Sequence, residues 1–375
     1  MSILYILLAI LFFGFLIFIH ELGHFIVARL CGVKVLEFAI GMGPKILSRR
    51  SKKSGILYSL RLLPIGGFVN MLGENGMEAV QGSSEDRSET GKDSFFVNSE
   101  EQEEKETDPE LAKQAYCNQS VWKRILISLA GPLMNILLGF VLMLVLVIAT
   151  KNGLGTTVVH SFPEGAMSVS GGLQAGDEIV KVGDSSVHTL YDLSYEISEQ
   201  GYRPLSVTVM RNGEKVVLEN VTFPVAVENN TPFGLRDFYV IRETDITPFT
   251  IVKHAFWRSC SCVKMVYDSI AGMFTKRYTV DAVSGPVGIT GVITDAAKTG
   301  WLNLLHLLIL ISVNLGVMNL LPLPALDGGH LLIYVIEAIR RKPLKPELEG
   351  MINFVGLVLL LGLAVLITIK DVIAL

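Results

Sequence analysis

FLIFIHELGHFIVARL, residues 15–30, sets two histidines, a glutamate and an arginine in a run otherwise apolar enough to cross a membrane. Ionisable side chains in hydrocarbon are costly unless they are paired or metal-bound, so each one asks for a reason. Residues four apart on a helix share a face, so His20 and His24 can direct both imidazoles at one metal ion. Glu21 stands beside a ligand, where it can hold and deprotonate a water molecule. This is the spacing of the His-Glu-x-x-His zinc hydrolases. The plain alternative, polar side chains satisfied by neighbouring helices, leaves the coincidence of these residue types at this spacing unexplained.

The surrounding chain has the same character. Its 375 residues are 50% hydrophobic and only 18% charged, with a mean hydropathy of +0.48. That is too apolar for an ordinary soluble protein and predicts a membrane protein carrying polar insertions. Four runs reach the roughly 20 apolar residues that a span requires: residues 3–30, 125–148, 302–321 and 351–369. The first lacks a basic leader and a small-residue cleavage site, so it reads as a retained span. Basic residues sort the loops. Arg29, Lys34, Lys45, Arg49, Arg50, Lys52 and Lys53 follow the first run, and Arg340, Arg341, Lys342 and Lys345 precede the last. Both loops are expected in the cytoplasm, which leaves both termini and the long middle segment outside. The net charge of -4 says little by itself, and no nucleic-acid partner is expected.

The expected architecture is therefore a polytopic α-helical membrane protein with four transmembrane helices and two polar insertions. Residues 1–30 carry the first helix and 31–122 a cytoplasmic loop. The second helix is 123–149, an extracytoplasmic domain 150–235, and a linker with an amphipathic helix 236–300. The third helix is 301–331, a cytoplasmic loop 332–349, and the fourth helix 350–375. Within the first loop, GILYSLRLLPIGGFVNMLGEN alternates apolar and polar residues and is punctuated by Gly66 and Gly67, as in short strands or a hairpin. SSEDRSETGKD and SEEQEEKETDPE form an acidic insert poor in apolar residues, expected to be solvated. Residues 158–223 are β-rich around the short helical stretch YDLSYEISEQ, which makes a small mixed α/β domain. Residues 247–274 are amphipathic at helical spacing and suit either the outer membrane surface or a place on that domain. Cys31, Cys117, Cys260 and Cys262 do not make a disulfide framework, and a lone Cys-x-Cys does not complete a tetrahedral metal site.

A catalytic zinc site needs a third protein ligand. His160, His188, His254 and His306 all fall on the outer side. The 17 residues that precede His20 in its span rise about 26 Å, which puts the motif near the cytoplasmic face. Asp327, in NLLPLPALDGGH, arrives at similar depth, with Pro322 and Pro324 breaking the helix before it and Gly328-Gly329 allowing close packing. Asp327 is the expected ligand, with His330 as its rival.

HELGH, SLAGPLMNILLGF (128–140) and NLGVMNLLPLPALDGGH (314–330) together resemble the bacterial site-2 proteases, the intramembrane zinc metalloproteases of regulator-of-sigma-E-protease type. PIGGFVNMLGE and SGPVGI match further blocks, and GGLQAGDEIVKVGDSSV resembles a PDZ domain through its turn at residues 172–177. The resemblance implies regulated proteolysis within the bacterial inner membrane of single-span membrane proteins, such as anti-sigma factors or signal-peptide remnants. Zn2+ would be held by His20, His24 and Asp327, with Glu21 as general base. Asn135, Asn314 and Asn319 match intramembrane asparagines of the family and would face substrate; interhelical hydrogen bonding is the plain alternative for each. The strand region of Gly66, Gly67 and Gly73 would pair with an unwound substrate, and the one PDZ-like domain could take a peptide C-terminus. A membrane metal transporter would also bury His and Asp, but would need neither the adjacent base nor the PDZ-like domain. A non-catalytic scaffold would not need the intact ligand set.

Overall fold

In hydrocarbon a backbone must satisfy its own hydrogen bonds, and an unbroken Leu/Ile/Phe run does so as a helix. The computed structural model describes residues 3–74, 109–150, 153–228, 231–275, 277–278 and 285–373. The acidic insert of residues 75–108 and Ser284 of the SGPVGI block lie outside the described residues. In chain order the elements are α1 (Ile3–Leu30), β1 (Val35–Arg50), β2 (Leu57–Met71), α2 (Pro109–Lys113), α3 (Val121–Ala149), β3 (Leu154–Ser161), β4 (Glu178–Val182) and β5 (Ser185–Ser186). They continue with α4 (Leu190–Gln200), β6 (Leu205–Arg211), β7 (Glu214–Val221), β8 (Val225–Glu228), β9 (Thr231–Gly234), β10 (Tyr239–Glu243), α5 (Pro248–Phe274), α6 (Pro286–Thr299), α7 (Trp301–Asn319), α8 (Asp327–Arg340) and α9 (Pro346–Ile373). Among the described residues four helices are long and apolar enough to cross a membrane: α1, α3, α7 and α9.

The chain forms two units. The first comprises Met1–Ile136 and Leu315–Leu366. Its core joins Ala28 of α1, Val35, Phe38, Val69 and Met71 of the strands, Ile127 of α3, and Ile333 and Tyr334 of α8. Residues 37–40 of β1 lie opposite 70–67 of β2 and also opposite 57–60, while 45–50 lie opposite 61–57. The two long strands therefore fold back on themselves. Bends at Gly41 (φ 87°), Gly43 (φ 84°) and Gly66 (φ 81°) use the left-handed region open to glycine. Gly66 and Gly67 thus lie inside a strand, where Gly66 bends it, and the chain reverses at residues 51–56 instead. Residues 67–71 are left with 35–40 as their only strand partner among the described residues.

α7 stops at Asn319, ahead of Pro322 and Pro324. The stretch read from sequence as a cytoplasmic loop begins as helix α8, in which Ile333 and Tyr334 are buried. At 14 residues α8 is too short for a span, and its apolar periodicity serves packing.

The second unit comprises Leu137–Asn314 and Ile367–Leu375. Five strands run in the order β10-β3-β4-β6-β7, with β5 paired to β4. Val159, Leu173, Ile179, Leu193, Ile197, Val207, Val209 and Phe238 fill the core. Thr189 and Asp192 form a capping box that starts α4. At the Gly-Leu-x-x-Gly-Asp turn, Gly172 and Gly176 take positive φ. The buried Asp177 carboxylate there accepts from Arg211 Nε and Nη2, both at 2.7 Å, and from the Gln174 amide at 2.9 Å. α5 packs on α4 through Lys264 to Glu196 (2.8 Å), Tyr195 to Asp268 (2.8 Å) and a His188–Trp257 stack, while Phe249, Phe256 and Phe274 stay exposed. All four cysteines are free.

Candidate metal centre and its cleft

The first unit brings His20, His24 and Asp327 together. His20 Nε2 lies 3.1 Å and His24 Nε2 3.4 Å from Asp327 Oδ2, and the two Nε2 atoms are 3.3 Å apart. Ligands at zinc's usual 2.0–2.1 Å stand about 3.3 Å from one another on the edges of a tetrahedron. The three donor atoms have that spacing, and their chemistry, two imidazoles and a carboxylate, suits zinc.

Supporting groups aim each ring. His24 Nδ1 lies 2.8 Å from the Ile127 carbonyl, to which it donates, so its Nε2 lone pair points to the cluster. His20 Nδ1 lies 3.3 Å from the Asn135 amide. With Nε2 turned to the cluster, Nδ1 of His20 carries a proton. An amide rotated to present its oxygen accepts it, since amide O and N are interchangeable by a flip. Asn135 is completely buried and therefore serves as a partner of His20 rather than a cleft wall.

Glycines make the space. A Cβ on Gly131 would come 2.2 Å from His24 Nε2, and one on Gly23 would meet the Ala130 carbonyl at 2.4 Å, so α1 and α3 approach only through two residues without side chains. A Cβ on Gly67 would lie 2.8 Å from Glu21 Cγ, so Gly67 clears room for that carboxylate. Gly328 and Gly329 let the turn after α7 fold against the start of α8, where a Cβ would strike the Leu321 and Leu323 carbonyls at 2.1 and 2.4 Å. Gly23 and Gly131 stand within HELGH and SLAGPLMNILLGF, but nothing local in either stretch marks them as the point where the two helices meet.

A cleft of about 950 Å³ opens on this cluster. Glu21, residues 67–71 of β2, Asn319, His330 and Asn353 line it together with the three donors. His330 turns to Glu349, its Nδ1 3.3 Å from Oε1, and stands outside the three-donor group. Gly66 and Gly73 shape the strand but are not among the lining residues. Asn314 is exposed and falls in the second unit. Three other histidines are engaged in that unit: His188 stacks on Trp257, His254 Nε2 lies 3.8 Å from Glu243, and His306 bonds Tyr191 at 3.0 Å. At the cleft's polar end, burial pushes the Tyr116 phenol up to about 12, so it stays neutral beside Tyr334. Burial also works to raise the Glu37 carboxyl, but hydrogen bonds from Ser59 and Arg61, aided by Lys45, outweigh it and hold it below the ordinary carboxylate value.

An open three-donor site with a glutamate beside it defines a metallohydrolase class of centre. Residues 8–363 match Peptidase family M50, and the chain belongs to that family. Zinc metalloprotease RasP of Bacillus licheniformis is 30% identical over 413 residues, covering 97% of each chain. Regulator of sigma-W protease RasP of Bacillus subtilis is 29% identical over 412 residues, again covering 97% of each. A chain of Clostridium acetobutylicum is 35% identical over 373 residues, spanning 100% of this chain and 98% of its own length.

Proposed function

We propose that this chain is an intramembrane zinc metalloprotease that cuts peptide bonds within transmembrane segments of single-span membrane proteins. The observation that carries this reading is three donors at tetrahedral spacing with Glu21 beside them, at one end of helices apolar enough to span a bilayer. His20, His24 and Asp327 hold the ion. Zinc, when bound, would supply Lewis acidity toward a peptide carbonyl and lower the pKa of water to about 7. Glu21 takes the proton from the attacking water and returns it to the leaving amine.

A substrate helix has its carbonyls satisfied and must unwind to be cut. Residues 67–71 lack a second strand partner among the described residues and line the cleft, so they offer an edge on which an unwound segment adds as a strand. Asn319, on the cleft wall, can satisfy backbone groups exposed by unwinding. Basic residues around residues 29–53 and 340–345 support cytoplasmic loops, with both termini extracytoplasmic. The Gly172–Asp177 turn and α4 support reading the second unit's domain as a PDZ domain that takes a peptide C-terminus. Anti-sigma factors fit as substrates, in line with the sigma-W regulator named for the Bacillus subtilis relative.

Glu21→Gln tests the reading. The variant retains zinc, by elemental analysis, and loses cleavage of a co-expressed single-span protein by about 10²-fold or more. Cleavage at the wild-type rate sinks it. Zinc flux in proteoliposomes without cleavage puts a transporter in its place.

A further inference from the structure

A second crevice lies behind the turn that carries Asp327. It measures about 310 Å³, and its walls are Pro322, Leu332, Ile333, Ile336, Leu344 and Ile352, with Arg340 and Asn353 as its polar members. It opens beside the start of α9, a helix apolar enough to span a bilayer in which only 6% of the apolar window is buried. Exposed Ile339, Leu348 and Met351 extend the apolar surface around it. Arg340 ends α8, and Arg341, Lys342 and Lys345 follow in the short link to α9. All four cations are exposed, and none forms a salt bridge with a carboxylate among the described residues. Three carboxylates stand nearby, Glu337, Glu347 and Glu349; Glu337 is paired with Arg124 and accepts from the Leu344 amide, and Glu349 is held by His330.

We infer that this crevice binds an anionic phospholipid, one acyl chain in the slot and the headgroup phosphate on Arg340 and the neighbouring cations. An apolar slot whose single cationic wall residue joins three more cations at the end of a membrane helix has the two chemistries of such a lipid, a chain and a phosphate, in the right order. Arg340 lines the slot and is exposed, and a long cationic side chain in such a place can cover apolar surface with its stem while its guanidinium meets a phosphate. The occupant is continuous with the bilayer that covers α9, so the inference rests on the reading of α9 as a membrane span and not on proteolysis. The site is distinct from the catalytic cleft, although Asn353 and Leu344 line both.

Native mass spectrometry of the full-length, detergent-solubilised protein titrated with phosphatidylglycerol or phosphatidylcholine tests it. Phosphatidylglycerol binds more tightly than phosphatidylcholine. Arg340→Gln weakens phosphatidylglycerol about fivefold, the equivalent of about 1 kcal/mol for one cation near a phosphate surface, and leaves phosphatidylcholine unchanged. Ile336→Trp, which fills the slot, weakens both lipids. Equal binding of the two lipids by the wild type overturns the inference, as does unchanged phosphatidylglycerol binding in Arg340→Gln. Competition on the unmodified protein needs no variant. Displacement of phosphatidylglycerol by glycerol 3-phosphate as effective as by the intact lipid assigns a free phosphate site instead. Displacement by a single-span peptide assigns a substrate groove. None of these readouts involves cleavage, so their failure is separate from failure of the protease assignment.

Discussion

The metal centre of the first unit and the sheet domain of the second hold acidic groups in opposite ways, and away from that centre the first unit's own Glu37 and Glu337 are closed by Arg61 and Arg124. In the second, three buried carboxylates of the mixed sheet domain meet donors: Asp177 takes the Arg211 fork, Glu196 takes Lys264, and Asp192 closes the capping box with Thr189. In the first, Asp327 converges with two imidazoles on a shared point, and Glu21 beside them faces a cleft. Closed pairs have spent their bonding capacity on holding a fold. Open ones keep lone pairs for a ligand, and that difference marks where chemistry takes place.

Substitutions sharpen the contrast, beginning with the open site. Asp327→Ala removes a donor, and zinc affinity measured by competition with a chelator falls by more than the 10–100-fold typical of losing a supporting group. Full zinc retention would move the third-ligand role to His330. Gly131→Ala puts a methyl where His24 Nε2 now lies, so zinc affinity falls about 10–100-fold although no ligand is changed; retention of affinity would show that α1 and α3 can separate without cost. In the closed site, Arg211→Met leaves Asp177 buried and unpaired. It destabilises the sheet domain by about 3 kcal/mol, read by hydrogen exchange, with zinc content unaltered. Loss of zinc in that variant would break the separation drawn between the two units. Thr189→Ala, the smallest change, costs about 1 kcal/mol and lowers amide protection at the start of α4 only.

Much of the site was legible because helices impose periodicity. His20 and His24 share a face by the rise of one turn, and counting residues through the span put Asp327 at the same depth. The strand region was harder. Gly66-Gly67 reads in sequence as punctuation of short strands or a hairpin, but a positive-φ glycine bends a strand as readily as it ends one, and only the pairing register separates the two outcomes. α8 was missed for a related reason: a short amphipathic helix that runs into a basic cluster has the composition of an interfacial loop.

Asn135 shows the limit most clearly. A buried asparagine in an apolar helix reads equally as a substrate contact or an interhelical bond, and the choice depends on which side chain lies opposite it. His20 does. The sequence by itself determined the spans and pointed to the candidate donors and the glutamate beside them, because hydropathy and helical spacing are local properties. Tertiary structure alone decided that His24 leans on the Ile127 carbonyl, that Gly131 and Gly67 make room for His24 and Glu21, and that residues 67–71 border the cleft. Those facts are distances between residues far apart in the chain, and they exist only once close packing has brought the helices and strands together.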